Sequence, residues 1–191
     1  LIGSEETSLG TGYGDDYTLY RGLADTRFNL VGHDWDTILN QAATGNPTAS
    51  IFRATSVSTV NRFLKHPEIA PRYYGELLHQ LSNTFAPPEI SRTLDETLSA
   101  WVPPNYITIM KAFATNRYAG ALAQIPLTQT VDGSSPAGIT TGGLWRYTTA
   151  NVKFFGSAHA ARTRSVTVNG QPAAWTAWTA RWTNTITLHP G

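Results

Sequence analysis

The chain contains no cysteine among its 191 residues. Disulfides, thiolate metal sites and cysteine nucleophiles are therefore excluded, and cysteine usage gives no information about the redox compartment. Charged residues are also scarce, at 14% of the chain with a formal net charge of +1. Because nucleic-acid and membrane-surface binders normally carry clustered lysine and arginine on a strongly basic domain, this balance argues against both classes.

No hydrophobic run approaches the ~18 residues that are needed to cross a bilayer, so no membrane span is predicted. The first residues, LIGSEETSLG, lack the basic and apolar segments of a signal peptide. The chain begins with Leu1, and it ends in TNTITLHPG, directly after a strand-like alternation. We therefore expect it to be a piece of a longer protein, made of one large domain or of one domain and a small module.

The stretch LVGHDWD places two aspartates around a tryptophan directly after an apolar run. The runs YTLYRG and RFNLVGH, separated by LADT, predict a β-hairpin that ends at this point. In an extended backbone alternate side chains point to opposite faces, so we expect Asp34 and Asp36 to project together and Trp35 to point the other way. The two carboxylates are candidate ligands for Mg²⁺. The alternative is a solvated strand end in which one aspartate caps the next segment.

A second acidic pair, Asp15 and Asp16, lies just before the hairpin. Hairpin folding can bring these residues back to Asp34 and Asp36, which would concentrate four carboxylates in one place and strengthen the metal hypothesis. The alternative is a polar turn in GYGDDY, because glycine and aspartate are common turn residues. His33 lies beside the acidic residues and is a supporting candidate, although a lone histidine is more often structural than a ligand.

The sequence indicates neither a phosphate-binding loop nor a serine hydrolase site. The glycines of GTGYG lack the spacing and the lysine of a phosphate-binding loop, so they favour a flexible turn. The sequence also contains no G-x-S-x-G hydrolase signature.

From about residue 55 to residue 125 the apolar residues recur at helical spacing and predict four helices. Pro67, Pro87, Pro88, Pro103 and Pro104 stand at the proposed boundaries, where a fixed φ suits a first helical turn. We interpret the aromatic and methionine residues of these helices as core packing. The positions that define the helices are, in chain order, Val60, Phe63 and Leu64; Tyr73, Leu77, Leu78 and Leu81; Ile90, Leu94, Leu98 and Trp101; and Ile107, Met110, Ala114, Ala121, Leu122 and Ile125.

The last third of the chain changes composition twice. Residues 128–150 are rich in glycine, serine and threonine and predict a linker or irregular loops. Residues 151–191 alternate in polarity and contain Asn169-Gly170, a hairpin signal, so they predict a partial β module. Its tryptophans favour core packing, with a sugar- or partner-binding platform as the alternative: Trp175, Trp178 and Trp182.

The segment DDYTLYRG…RFNLVGHDWDTIL resembles the CotH family of atypical exported protein kinases, whose motif runs roughly NYYLY…(F/W)xxxPWDxD. The downstream stretches FLKHPEIAPRYYGELLHQL and WVPPNYITIMKAFATNRYAGALAQIP are similar to the C-terminal helices of that family. The resemblance covers most of residues 13–126. The β tail resembles the module that follows such domains in large bacterial surface proteins.

This resemblance implies an α+β fold, with a β-hairpin and a mainly helical kinase-like C-terminal lobe in residues 1–127. It implies Mg²⁺- or Mn²⁺-dependent phosphoryl transfer from ATP to serine or threonine of a surface protein, at an extracellular or cell-surface location. Asp34 and Asp36 would bind the metal, and Asp16 would stand at a metal-binding asparagine position. Asp15 and His33 would support them.

The chain also departs from the family pattern. The ATP-binding N-terminal half, with its phosphate-contacting lysine, is absent, and the catalytic aspartate position falls at Thr11, so no catalytic residue is assigned. Glu5 or Glu6 could act as the base only in a rearranged loop, and GHDWD replaces the usual PWDxD. We expect the isolated chain to be inactive and another chain or lobe to complete the fold. The alternative is a non-catalytic structural or assembly protein of the bacterial surface or of an extracellular filament, which packs through its tryptophan- and threonine-rich tail.

Overall fold

The structure, a computed structural model, describes residues 1–2, 16–41 and 45–189 and has an α+β fold. In that part of the chain, the order along the sequence is a β-hairpin, four α-helices and a series of short antiparallel strands. The predicted α+β class is therefore confirmed, together with the order of hairpin, helices and β segment. The kinase-like character of the helical part stays a prediction.

The chain forms two compact units. The first contains residues 1–64 and 77–124, and the second contains residues 65–76 and 125–191. The helical segment 65–76 therefore belongs with the β segment, an association that no sequence pattern indicates.

The first unit begins with the predicted hairpin. Strands β1 (Tyr17–Arg21) and β2 (Phe28–Gly32) are antiparallel, with Leu19 opposite Leu30. The Arg21 guanidinium lies 5.9 Å from the centre of the Phe28 ring, the cross-strand partner of Arg21. Such cross-strand contacts and the turn between the strands stabilise the hairpin locally.

The four predicted helices are present: α1 (Ser58–Leu64), α2 (Ala70–Ser82), α3 (Pro87–Leu98) and α4 (Pro104–Leu122). Helices α3 and α4 begin with proline in the first turn, as predicted. Trp101, which we placed on the third helix, lies beyond its end and is 85% exposed, and Phe63 on α1 is 60% exposed, so the core assignment of both residues is wrong. Pro103 and Pro104 follow at once, and the missing N–H of proline separates α3 from α4.

The core of the first unit lies between the helices and the segment that follows the hairpin. Two short 3₁₀ turns, Ile38–Asn40 and Arg53–Ser56, belong to that segment. Lys111 Nζ on α4 lies 2.6 Å from a carboxylate oxygen of Asp95 on α3. The buried apolar residues of this unit include Leu39, Ile51, Leu77, Leu81, Phe85, Leu94, Ile107, Phe113, Ala114 and Ala121.

The second unit is built on a four-stranded antiparallel sheet of order β3-β6-β10-β9. Its described strands are β3 (Gly133–Ser135), β4 (Ile139–Thr141), β5 (Leu144–Arg146), β6 (Asn151–Ser157), β7 (Thr167–Val168), β8 (Gln171–Pro172), β9 (Ala174–Thr176) and β10 (Arg181–Thr187). Residues 128–150, interpreted from sequence as a linker or irregular loops, thus contain three short strands. Asn169 and Gly170 join β7 to β8 with positive φ values of 51° and 76°, which confirms the predicted hairpin turn.

Candidate functional site

Three of the four aspartates in the predicted metal cluster belong to the described residues, and they lie at one end of the hairpin. Asp16 immediately precedes β1, and His33 immediately follows β2. The His33 N–H donates a hydrogen bond of 2.9 Å to the carbonyl oxygen of Asp16, so the ladder continues one residue beyond both strands. Asp34 and Asp36 follow directly on the second strand. Asp15 lies outside the described residues.

The backbone at Asp34 is left-handed, with φ of 54°, and Asp16 has the same value. The chain therefore leaves the extended conformation as soon as β2 ends. The extended backbone from which we predicted that Asp34 and Asp36 project together is therefore not present at Asp34, and alternation between faces, which requires continuous extended backbone, does not apply there. Aspartate tolerates left-handed φ better than most residues, since its short side chain can bond locally.

Trp35 has a structural role that explains its place between the two aspartates. Its Nε1 donates a hydrogen bond of 3.1 Å to the Gly32 carbonyl. Its indole covers the Gly32 backbone so closely that a Cβ built on Gly32 would lie 2.0 Å from Cζ2 of the ring. The tryptophan thus folds back on the strand it follows and holds the acidic turn against the end of β2.

The segment after the acidic turn anchors it to the first unit. Thr37 is 8% exposed, and Leu39 is 5% exposed with φ of 53°. The Leu39 N–H donates a hydrogen bond of 2.8 Å to the carbonyl of Ile2. The residues that follow the turn are therefore buried, while Asp34 and Asp36 within the turn are exposed.

Two polar side chains, Arg117 on α4 and Gln124 just after the end of α4, hold the loop that comes next. Arg117 is 6% exposed, and its Nη1 donates hydrogen bonds of 3.1 Å to Pro47 O and 2.5 Å to Ala49 O. Gln124 donates to the same Ala49 carbonyl at 3.2 Å and accepts from the Ile51 N–H at 3.1 Å. Sequence reasoning missed both residues, because helical periodicity only predicts where apolar side chains lie.

The described carboxylates do not form a closed metal cage. In residues 1–2, 16–41 and 45–189, no three histidine, aspartate or glutamate side chains converge as a cation site. Among the described residues, two buried polar atoms near the turn have no hydrogen-bond partner, Thr37 Oγ1 and Gln41 Nε2. The exposed carboxylates of Asp34 and Asp36 are oxygen donors, the type of ligand that Mg²⁺ prefers.

The tail tryptophans do not form an exposed platform. Trp182 is 3% exposed and donates from Nε1 to the Ser157 carbonyl at 3.1 Å. Trp175 packs against the same core cluster. The Lys65 ammonium lies 4.0 Å from the centre of the Trp178 ring and covers it. Core packing therefore accounts for Trp175 and Trp182, and Lys65 covers the half-buried Trp178, so the three rings do not form the exposed platform that glycan binding requires.

Comparisons with protein-family models, with curated proteins and with solved structures found no match. In the part of the chain that the structure describes, no helix has both the length and the apolar character needed to cross a bilayer.

Proposed function

We propose that residues 1–127 are the C-terminal part of a CotH-like atypical kinase, in which Asp34 and Asp36 hold the Mg²⁺ or Mn²⁺ of bound ATP. One observation carries the proposal. The hydrogen bond from the His33 N–H to the Asp16 carbonyl places acidic residues from both strands at the same end of the hairpin. These are the positions to which the family resemblance assigns the metal ligands.

The solvent exposure of Asp34 and Asp36 also supports this function. A cation shared with a nucleotide needs carboxylates that a solvated phosphate can reach. Asp34 and Asp36 would hold the metal, whose positive charge would offset the negative charge that develops during phosphoryl transfer to a serine or threonine hydroxyl. Asp16 would assist at the asparagine position, with Asp15 and His33 in support, and no residue is assigned as catalytic base.

The full reaction, in this proposal, takes place outside the cell or at its surface. The acceptor is a surface protein, and another lobe or chain completes the nucleotide site. The described residues supply the metal side of that site, which is the part that can be tested directly in this chain.

The test is a calorimetric titration of the 191-residue chain with Mn²⁺, with and without ATP. We expect saturable binding that ATP strengthens. The Asp34→Asn/Asp36→Asn variant removes both charges but keeps the side-chain size. Because loss of groups that merely orient metal ligands costs 10–100-fold in affinity, we expect this variant to lose at least about 100-fold.

A matched control removes two negative charges elsewhere. Glu68 and Glu96 are exposed and lie outside the hairpin, so Glu68→Gln/Glu96→Gln should bind Mn²⁺ and ATP like wild type. Equal affinity of wild type and the Asp34→Asn/Asp36→Asn variant would overturn the proposal. Equal losses in both double variants would show a general effect of net charge, and would overturn it as well.

A second candidate function is a non-catalytic structural or assembly protein. Large apolar side chains on two hairpins favour it, since exposed apolar patches mark interaction surfaces. In this function Mn²⁺ and ATP have no effect on assembly. The side chains on β1–β2 and β4–β5 that are 47–70% exposed are Leu19, Tyr20, Phe28, Leu30, Val31, Ile139, Leu144 and Trp145.

A further inference from the structure

Strand β1 has an edge that is unpaired in the described part of the chain, where β2 is its single neighbour. The hydrogen bond between His33 and Asp16 fixes which groups face that edge. It makes these two residues a hydrogen-bonded pair of the antiparallel ladder, and such pairs alternate with non-hydrogen-bonded pairs. The main-chain N–H and C=O groups that point away from β2 therefore belong to Tyr17, Leu19 and Arg21.

The other edge of the hairpin is partly closed. By the same alternation, the outward-pointing main-chain groups of β2 belong to Phe28, Leu30 and Gly32. The Gly32 carbonyl already accepts the hydrogen bond from Trp35 Nε1, and the indole covers this residue. Within residues 1–2, 16–41 and 45–189, strand β1 thus presents the more accessible of the two edges.

The side chains of the hairpin protect this edge weakly. Arg21 at the end of β1 is the one charged residue of the two strands, and neither strand contains lysine or proline, which natural edge strands often use to prevent pairing. Leu19 and Phe28 are 56% and 65% exposed on one face, and Tyr20 and Val31 are 61% and 52% exposed on the other. Apolar residues on both faces are typical of a strand that lies inside a larger sheet.

We propose that β1 pairs antiparallel with β1 of a second copy of this chain, across a twofold axis at Leu19. In this register Leu19 lies opposite the partner's Leu19, and Tyr17 lies opposite the partner's Arg21. Within its own hairpin the Arg21 guanidinium lies 5.9 Å from the Phe28 ring and donates from Nε to the Thr26 carbonyl, and in this register it also comes beside the partner's Tyr17 ring, a favourable cation–π arrangement that makes the register self-complementary. An isologous contact of this kind closes at two copies and gives a continuous four-stranded sheet.

The expected dimer is weak. Two five-residue edges and their neighbouring side chains bury less than the ~800 Å² per partner of a standard interface. We therefore expect a dissociation constant in the micromolar range or above. The contact does not use Asp34 or Asp36, so it stands apart from the proposed metal site, and it gives the assembly alternative a defined surface.

The test compares two proline variants by sedimentation velocity over a micromolar to millimolar concentration series. Leu19→Pro removes an N–H that faces the free edge of β1, which an edge strand tolerates within its own hairpin. Leu30→Pro makes the equivalent change on the free edge of β2 and is the matched control. We expect wild type and Leu30→Pro to dimerise alike, and Leu19→Pro to require at least about tenfold higher concentration, since it loses an inter-strand hydrogen bond.

Amide hydrogen exchange of the wild type gives a second readout that needs no variant. Exchange at Tyr17, Leu19 and Arg21 should slow as the protein concentration rises, and exchange at Leu30 should not. A wild type that stays monomeric throughout, or dimerisation that Leu30→Pro abolishes and Leu19→Pro does not, would overturn the proposal. Dimers with no concentration-dependent protection of β1 would overturn it too, because they would form through another surface.

Discussion

The indole of Trp35 fills the space that a Cβ on Gly32 would occupy, and its Nε1 donates to the Gly32 carbonyl at 3.1 Å. This contact explains why a tryptophan separates two aspartates. The ring holds the turn, and the aspartates on either side of it remain exposed. Of these three consecutive residues, Trp35 stabilises the turn, and Asp34 and Asp36 are the candidate metal ligands.

Gly32→Ala should disturb this turn. The new Cβ would lie 2.0 Å from Cζ2 and 2.5 Å from Cη2 of the indole, so Trp35 has to move. We expect a loss of about 1–3 kcal/mol in local stability, as for other overpacked sites. Amide exchange of the β1–β2 residues measures that local stability, and a titration with Mn²⁺ and ATP should show weaker binding.

Gly22→Ala is the matched control for this variant. Gly22 lies at the other end of the hairpin, and a Cβ there would meet its nearest neighbour, the Asp25 carbonyl, at an ordinary distance of 3.5 Å. We expect little change in its amide exchange. Equal protection in Gly32→Ala and in wild type would contradict the role of Trp35 described above.

Arg117 should be the most sensitive polar position of α4. It is 6% exposed and donates to the carbonyls of Pro47 and Ala49, so Arg117→Met leaves both oxygens without this donor. Hydrogen bonds to charged groups contribute about 1.5–3 kcal/mol each, and we expect a loss of about 3 kcal/mol in the free energy of unfolding. Urea unfolding measures this difference.

Arg92→Met removes the same charge from an exposed site. Arg92 contacts Glu89 and Glu96 on its own helix, and its side chain is 53% exposed. Exposed pairs of this kind contribute at most about 1 kcal/mol. If the two methionine variants unfold at the same urea concentration, the loop-holding role assigned to Arg117 is wrong.

Sequence patterns predicted the parts of this fold that depend on local periodicity. The hairpin, the four helices and the Asn169-Gly170 turn follow from alternation, helical spacing and turn chemistry. The orientation of Trp35 could not be predicted, because it depends on the left-handed backbone at Asp34, which breaks the alternation of the strand. The buried Arg117 was equally hidden, since a single charged residue on a helix predicts exposure. The sequence feature that could have indicated the burial of Arg117 is Gly120, one turn later. A Cβ on Gly120 would lie 2.4 Å from Pro47 O, so the loop packs closely against this part of α4.

In the turn between β7 and β8, the free-energy cost of a left-handed backbone can be measured without a change in side-chain packing. Gly170 has φ of 76°, and a Cβ there would meet nothing within 4 Å. Gly170→Ala should therefore cost about 1–2 kcal/mol through the left-handed backbone alone. Gly170→Asn should cost less, because asparagine tolerates this region. Thermal unfolding of both variants measures the difference, and equal losses would contradict the conformational explanation.

Tyr74 and Trp178 are joined by a hydrogen bond within the second unit. The Tyr74 hydroxyl donates to the Trp178 carbonyl at 2.7 Å, and the residue is 3% exposed. Tyr74→Phe keeps the ring and removes the donor, so the carbonyl loses this partner. We expect a loss of about 1–3 kcal/mol in the free energy of unfolding.

The same tyrosine should make stability depend on alkaline pH. Burial raises the pKa of Tyr74 from 10.0 to about 12, with a smaller contribution from Tyr73. The folded state therefore keeps its proton where the unfolded state loses it. This contribution to stability is fully present below pH 10 and is lost as pH rises towards 12.

Urea unfolding across this range should show a falling free energy of unfolding in wild type, and a shallower fall in Tyr74→Phe. Tyr106→Phe removes a hydroxyl from a side chain that is 46% exposed and should keep the wild-type slope. Identical slopes in wild type and Tyr74→Phe would show that another group governs alkaline stability.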